Sequence, residues 1–315
     1  MKKKIIIDCD VGVDDALALI LAFHSPELEI GAVTGVNGNV SLEQVFANIQ
    51  KVLFLIQPQH HPFIARGADR PLKGIPTYAH SVHGEDGLGG VKIDLKKEEK
   101  WWHLFSGPAH ELITEMARQH PDELTLIAIG PLTNLALALQ KDLPGMKKLK
   151  ELVIMGGAVR TQGNITPHAE FNIFVDPLAA QMVLASGLPI TLVPLDVTHR
   201  VFLSSRLIEE RIKPLSNPFG RFVTEATGYS LTSQRFRRGS EVFHLHDPLA
   251  VAVAIDPDLV RKERLSILVE IEEGERYGQT FEVAEEEASA AHKLDVCLGV
   301  NSEKFLELFL SRLGA

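Results

Sequence analysis

The sequence predicts an α/β fold, a single open and mostly parallel sheet with helices on both faces and extra helices in the C-terminal third. Two observations carry this prediction. Short apolar runs that end in turns alternate with stretches of helix-spaced apolar residues, and from residue 204 to 249 the pattern becomes mainly helical.

Residues 5–7 (Ile5, Ile6, Ile7) are apolar without alternation, as a strand buried on both faces requires. Helical spacing follows over 13–23, a strand over 29–36 and a helix over 42–56. Residues 67–92 carry six glycines with Pro71 and Pro76 around His83, so they read as a long loop of the kind that often serves function. Residues 235–240, with three arginines and a glycine, also read as irregular. Strands at 124–129, 152–155 and 190–194 alternate with helices at 107–120, 132–139 and 177–185. Residues 265–271 and 294–299 add strands late in the chain. No internal repeat or linker interrupts this pattern, so residues 1–315 are expected to form a single domain.

Composition excludes several classes of function. Apolar residues make up 45% and charged residues 23%, which suits a globular enzyme and argues against disorder. A net charge of −9 without a long Lys/Arg block disfavours nucleic-acid polymers and anionic membranes as partners. Lys2, Lys3 and Lys4 precede the isoleucines, but Asp8 and Asp10 end the apolar run too early for a signal segment. No stretch is long enough to span a bilayer. With only Cys9 and Cys297, a reducing, cytoplasmic setting is expected.

The strongest local signal is Asp8-Cys9-Asp10-Val11-Gly12-Val13-Asp14-Asp15-Ala16. Residues two apart on a strand share a face, which predicts that Asp8 and Asp10 point the same way. Gly12 permits a tight turn, and Asp14 and Asp15 fall at a helix start, where the dipole favours carboxylates. Four carboxylates at the carboxyl end of a parallel strand occupy the place where open α/β sheets bind ligands. A hard cation relieves their repulsion, and Ca²⁺ takes six to eight oxygen ligands. If Asp14 and Asp15 only capped the helix and Asp8 only ended the strand, Asp10 would have no role. His246-Asp247-Pro248 supplies another hard ligand at a helix start beside a titratable imidazole; by itself it reads better as a helix start with a packed histidine. Glu170-Phe171-Asn172, with Asn164 and the glycines after Met155, offers side chains suited to vicinal hydroxyls, or merely a capped polar turn.

Taken together, these segments resemble the inosine–uridine-type nucleoside hydrolase family, whose fold is Rossmann-like. The family's opening motif, Asp-x-Asp-Pro-Gly-x-Asp-Asp-Ala, is matched at residues 8–16, with Val11 where the family usually has proline. Gly38-Asn39, the Gly130-to-Asn134 stretch, Met155-Gly156-Gly157, Ala169-to-Asn172 and His246-Asp247-Pro248 follow in family order. The resemblance implies Ca²⁺ held by Asp10, Asp15, Asp247 and the carbonyl of Ile129. It implies a ribose held by Asp14, Asn39, Met155, Asn164, Glu170 and Asn172, with Phe171 beside it. Asp10 would also act as general base and His246 would assist the leaving base. His83 would lie in a flexible loop over the site, with Tyr229, Gln234 and Arg238 near the base. The implied activity is Ca²⁺-dependent hydrolysis of ribonucleosides to base and ribose, in nucleoside catabolism, by a homotetramer or dimer.

Two other classes compete. Asp8-Cys9-Asp10-Val11 also resembles the nucleophile motif of haloacid-dehalogenase-type phosphatases, a reading that leaves His246-Asp247 and residues 169–172 idle. A non-enzymatic, calcium-dependent sugar-binding module would use the same ligands and need no base.

Overall fold

The computed structural model describes residues 2–95, 99–238, 241–284 and 292–314, the side chains of 234–238 excepted. Strand β1 (Lys3–Cys9) leads through Gly12 into helix α1 (Val13–Phe23), then β2 (Leu28–Gly35), α2 (Leu42–Ile56) and β3 (Phe63–Arg66). The turn α3 (His80–His83) and the two-residue β4 (His103–Leu104) precede α4 (Ala109–Gln119), β5 (Leu124–Ala128), α5 (Thr133–Met146) and β6 (Glu151–Met155). Next come α6 (Phe171–Val175), α7 (Pro177–Leu184), β7 (Ile190–Val193), α8 (Leu195–Thr198), β8 (Phe202–Ser204) and α9 (Ser205–Leu207). The chain closes with α10 (Pro218–Arg238), β9 (Val242–His244), α11 (His246–Ile255), β10 (Val260–Val269), β11 (Thr280–Val283), β12 (Lys293–Val300) and α12 (Ser302–Leu313).

Ten strands form one open sheet in the order β11-β10-β12-β7-β6-β5-β1-β2-β3-β4. From β12 to β4 every pairing is parallel, while β10 runs antiparallel to both β11 and β12. Side-chain alternation along β1 feeds two cores. Ile5, Ile7 and Cys9 pack with α1, α2, α11 and α12, and Ile6 packs on the opposite face with α4, α5 and α7. Helix α1 is buried along almost its whole length because α11, itself packed on β5 and β6, runs against it, and α2, α10 and α12 add further contacts. Among the described residues no helix is long and apolar enough to cross a membrane.

Strand order reverses at the centre. β2, β3 and β4 extend from one side of β1, while β5, β6 and β7 extend from the other. The crevice at the carboxyl ends of β1 and β5 is therefore the topological switch point, where such sheets bind ligands.

Residues 204–249 are mostly helical, as expected, with β9 the main exception: β8 and β9 form a separate two-stranded antiparallel ribbon, Phe202 opposite His244 and Leu203 opposite Phe243. One expectation changes in the structure. Helix α10 continues through 235–238, where the arginines had suggested irregular chain, and residues 239–240 lie outside the described residues.

Candidate active site

The floor of the site is the β1–α1 turn. Asp10 follows the end of β1, and its Oδ2 accepts the Asn39 backbone N–H at 2.7 Å. Asp15 is tied to the same turn: its Oδ2 accepts the Gly12 N–H at 2.8 Å, and its Oδ1 accepts the Asp10 N–H at 3.1 Å. Asn39 Nδ2 also donates to Asp15 Oδ2, at 3.1 Å. Glycine is required at 12, since a Cβ there would come within 2.6 Å of His83 Nδ1, and at 38, where it would meet Asp10 Oδ2 at 2.0 Å. Val11 replaces the expected proline without loosening the turn. Its carbonyl accepts from Asn48 Nδ2 of α2 at 3.1 Å, and the same amide donates to the Asp86 carbonyl at 2.8 Å.

Asp8 takes no part in this cluster. Its Oδ1 accepts from Thr34 Oγ1 at 2.5 Å and from Asn134 Nδ2 at 2.8 Å, which seals it beneath the sheet ends. Burial raises its carboxyl to about 7 against those two bonds. The convergence expected of Asp8 with Asp10 is thus replaced by a structural tie between β1, β2 and α5. A phosphatase nucleophile at Asp8 would have no path to a substrate.

Asp14, Asp15 and Asp247 each place a carboxylate oxygen within 4.8 Å of the others, and all three are buried. Asp10 joins the group through its N–H bond to Asp15. Asp10 Oδ1 and Asp14 Oδ1 are buried without a hydrogen-bond partner, which is costly unless something positive meets them. Burial raises the carboxyls of Asp10 and Asp247 well above the usual range, and it raises Asp14 and Asp15 to about 6. An all-oxygen donor set with orphaned oxygens fits a hard divalent cation.

Above this floor lies a cavity of 540 Å³, within the range of small-molecule sites. Asp14, Asn39, His83, Ile129 and Asp247 line its base. Met155, Asn164, Glu170, Phe171 and Asn172 form one wall, with His246 also on the lining. Glu170 caps α6: Oε1 accepts the Asn172 N–H at 2.9 Å, and Oε2 accepts the N–H groups of Gly157 at 3.0 Å and Ile173 at 3.2 Å. Burial nonetheless raises its carboxyl to about 7. Asn172 Nδ2 donates to the carbonyls of Ile129 at 3.0 Å and Met155 at 3.2 Å, joining β5 and β6 at their ends. Asn164 Oδ1 accepts the Phe171 N–H at 2.9 Å.

His83 was expected in a flexible loop, but it sits buried at the end of the α3 turn. Ser230, Ser233 and Tyr229 of α10 donate hydroxyl hydrogen bonds to the carbonyls of Val82, Ser81 and His80, respectively. His83 Nδ1 accepts the Val13 N–H at 3.1 Å, and burial pulls its imidazole down to about 4. The ring is therefore neutral with its proton on Nε2, and the 3.7 Å approach of Asp14 Oδ1 is not an ion pair. Tyr229, expected near the base, is spent on the His80 carbonyl and lies off the cavity lining. The side chains of Gln234 and Arg238 lie outside the described residues.

Sequence reasoning missed part of the lining. His199, Tyr78, Phe243, Ser233 and His244 also face the cavity. The rings of His199, His244 and His246 cluster, with centroids 5.1–5.7 Å apart. The alternation of His244 and His246 was a usable signal. His199 had none, because it meets His244 and His246 only where α8 and the paired strands β8 and β9 come together.

Comparison with known proteins agrees with this geometry. The sequence model for inosine-uridine preferring nucleoside hydrolases matches residues 5–307. A pyrimidine-specific ribonucleoside hydrolase, RihA of Salmonella gallinarum, is 36% identical over 316 residues, covering 99% of each chain. Among solved structures, a plant nucleoside hydrolase superposes with a TM-score of 0.93 at 30% identity over the whole of both chains. A purine-preferring ribonucleoside hydrolase of Gardnerella vaginalis does so with 0.91 at 31% identity, covering 99% of this chain and 98% of that one. This chain belongs to the inosine-uridine preferring nucleoside hydrolase family and is a nucleoside N-ribohydrolase.

Proposed function

We propose that the chain hydrolyses the N-glycosidic bond of ribonucleosides with Ca²⁺ as its resident cation. The observation that carries the reading is the buried cluster of Asp14, Asp15 and Asp247 beside Asp10, with orphaned oxygens at the switch point of the sheet. Asp10, Asp15, Asp247 and the Ile129 carbonyl would hold the ion. When bound, the cation would supply a hard positive charge able to orient and acidify water beside the ribose.

The chain's own residues account for the rest. Asp10 accepts a proton from the attacking water through Oδ1, while the Asn39 N–H holds Oδ2 in place. Cleavage develops positive charge on the ribose, as in an oxocarbenium-like state, and the surrounding carboxylates favour it. Asp14, Asn39, Met155, Asn164, Glu170 and Asn172 orient the sugar, with Phe171 packed beside it. His246 donates a hydrogen bond to the departing base. His83 presents a second imidazole from α3. Two free, buried cysteines support a reducing compartment, and the reading extends to cytoplasmic nucleoside catabolism by a homotetramer or dimer.

Release of ribose from inosine and uridine, against phosphate from nucleotides, tests the reading. Turnover is expected to vanish on chelation and to return with Ca²⁺. Sugar binding without cleavage would favour a binding module, and full activity in metal-free protein would remove the cation from the proposal.

A further inference from the structure

His246 opens α11, and the residue before it is already fixed: the Leu245 N–H donates to the Val201 carbonyl at 3.0 Å. The antiparallel pairing of β8 with β9 holds both segments in register. These ties carry His246 to the end of α8, where its Nδ1 lies 2.7 Å from the hydroxyl of Thr198. Thr198 is fully buried, whereas His246 is only partly covered and borders the cavity.

A hydroxyl has one proton to give, and a neutral imidazole has one bare nitrogen and one N–H. If Nδ1–H donated to Thr198, the buried hydroxyl proton would need another acceptor. Thr224, Thr227 and Thr232 each donate to a carbonyl one helical turn back, but Thr198 makes no such bond. Among the described residues its only side-chain hydrogen bond is the one to His246. A buried hydroxyl proton without an acceptor is costly, so Thr198 donates and Nδ1 accepts. The ring proton then sits on Nε2, the nitrogen left for the cavity.

We infer that Thr198 is a positioning residue that locks His246 in the Nε2–H tautomer and aims that N–H at the leaving base. The inference rests on the assignment of His246 to the leaving group. His83 is held in the same tautomer by a different donor, the Val13 N–H, so the cavity receives two preset imidazole N–H groups. A backbone amide can only donate, which leaves the His83 tautomer out of reach of a side-chain mutation. At His246 the choice rests on one hydroxyl.

The test compares Thr198→Val, Thr198→Ser and His246→Ala on inosine, uridine and p-nitrophenyl riboside, whose leaving group needs no hydrogen bond. Valine keeps the shape and removes the donor. Thr198→Val is expected to lower kcat on the nucleosides about tenfold, as loss of one oriented hydrogen bond implies, with KM little changed and the nitrophenyl substrate spared. Thr198→Ser should recover the nucleoside rate, and Thr198→Val should add no further loss in the His246→Ala background. Equal losses on all three substrates with Thr198→Val, or no loss on any, overturn the inference if His246→Ala still discriminates between leaving groups. If His246→Ala slows all three equally, the assignment of His246 falls and takes the role of Thr198 with it. ¹⁵N spectra of the histidine rings give an independent reading: a protonated Nδ1 on His246 in the wild type overturns the inference.

Discussion

Asparagine at position 10 would keep the size of Asp10 and an oxygen for the Asn39 N–H, but it cannot take a proton at neutral pH. Asp10→Asn is therefore expected to lower kcat by about 10²–10⁴-fold, the usual contribution of a positioned base. Cation affinity must be measured alongside, since the cluster also loses a charge. Near-wild-type turnover with the cation bound would place the base elsewhere. The aspartates of this cluster were legible in the sequence because short motifs compress them: Asp10, Asp14 and Asp15 share one turn, and Asp247 follows His246. Asp8 looked the same and behaves differently, because its fate depends on Asn134, 126 positions away. Thr198 was not legible at all. An isolated threonine acquires a role only when two loops meet.

Elements with long buried faces were equally plain. Apolar runs marked β1, β5, β6 and β7 to within a residue or two at most ends, and helical spacing marked α1 and α2. The pairing of β8 with β9 escaped notice because three residues per strand show no period and the strands lie far apart in sequence, and β3 and β4 lie at the thin edge of the sheet. The joints between elements depend on polar side chains whose partners are distant in sequence, and Asp176 is the clearest case. It caps α7 by accepting the Ala179 N–H at 3.1 Å, ahead of Pro177 at the first helical position. Its other oxygen accepts the Leu72 N–H at 2.8 Å and the Thr133 hydroxyl at 2.7 Å, joining α5, α7 and the long loop. Burial raises this carboxyl and the three bonds oppose the rise. Asp176→Ala strands two donors and uncaps a helix, so it should cost about 2–3 kcal/mol of stability. Chemical denaturation measures that loss, and kcat of the folded protein should stay close to wild type. An unchanged unfolding midpoint would mean that water replaces the carboxylate without cost.

At the scale of the whole molecule, the site opposes the stability of the fold that carries it. Burial raises Asp8 and Glu170 to about 7 and Asp14 and Asp15 to about 6, from ordinary values of 3.8 for the aspartates and 4.5 for the glutamate. Between about pH 4 and 7 these four groups therefore bind more protons in the folded chain than in the unfolded one, and His83, which burial lowers to about 4, offsets part of that difference. Their contribution to the slope of unfolding free energy with pH is negative in that window. These groups contribute stability below their unfolded pKa values and lose it as pH rises through 6 to 7. A cation acts in the opposite sense, because it needs carboxylates that have given up their protons, and it stabilises the fold by binding the native state alone. The increase in Tm produced by excess Ca²⁺ over chelator should thus grow from pH 5 to pH 8. If residues 1–315 form one domain, unfolding should be a single transition with the cation or without it. Scanning calorimetry reads both quantities. A calcium increment that is flat or shrinks with pH would show that the carboxylate cluster does not hold the ion. Two separated transitions would divide the chain into more than one domain.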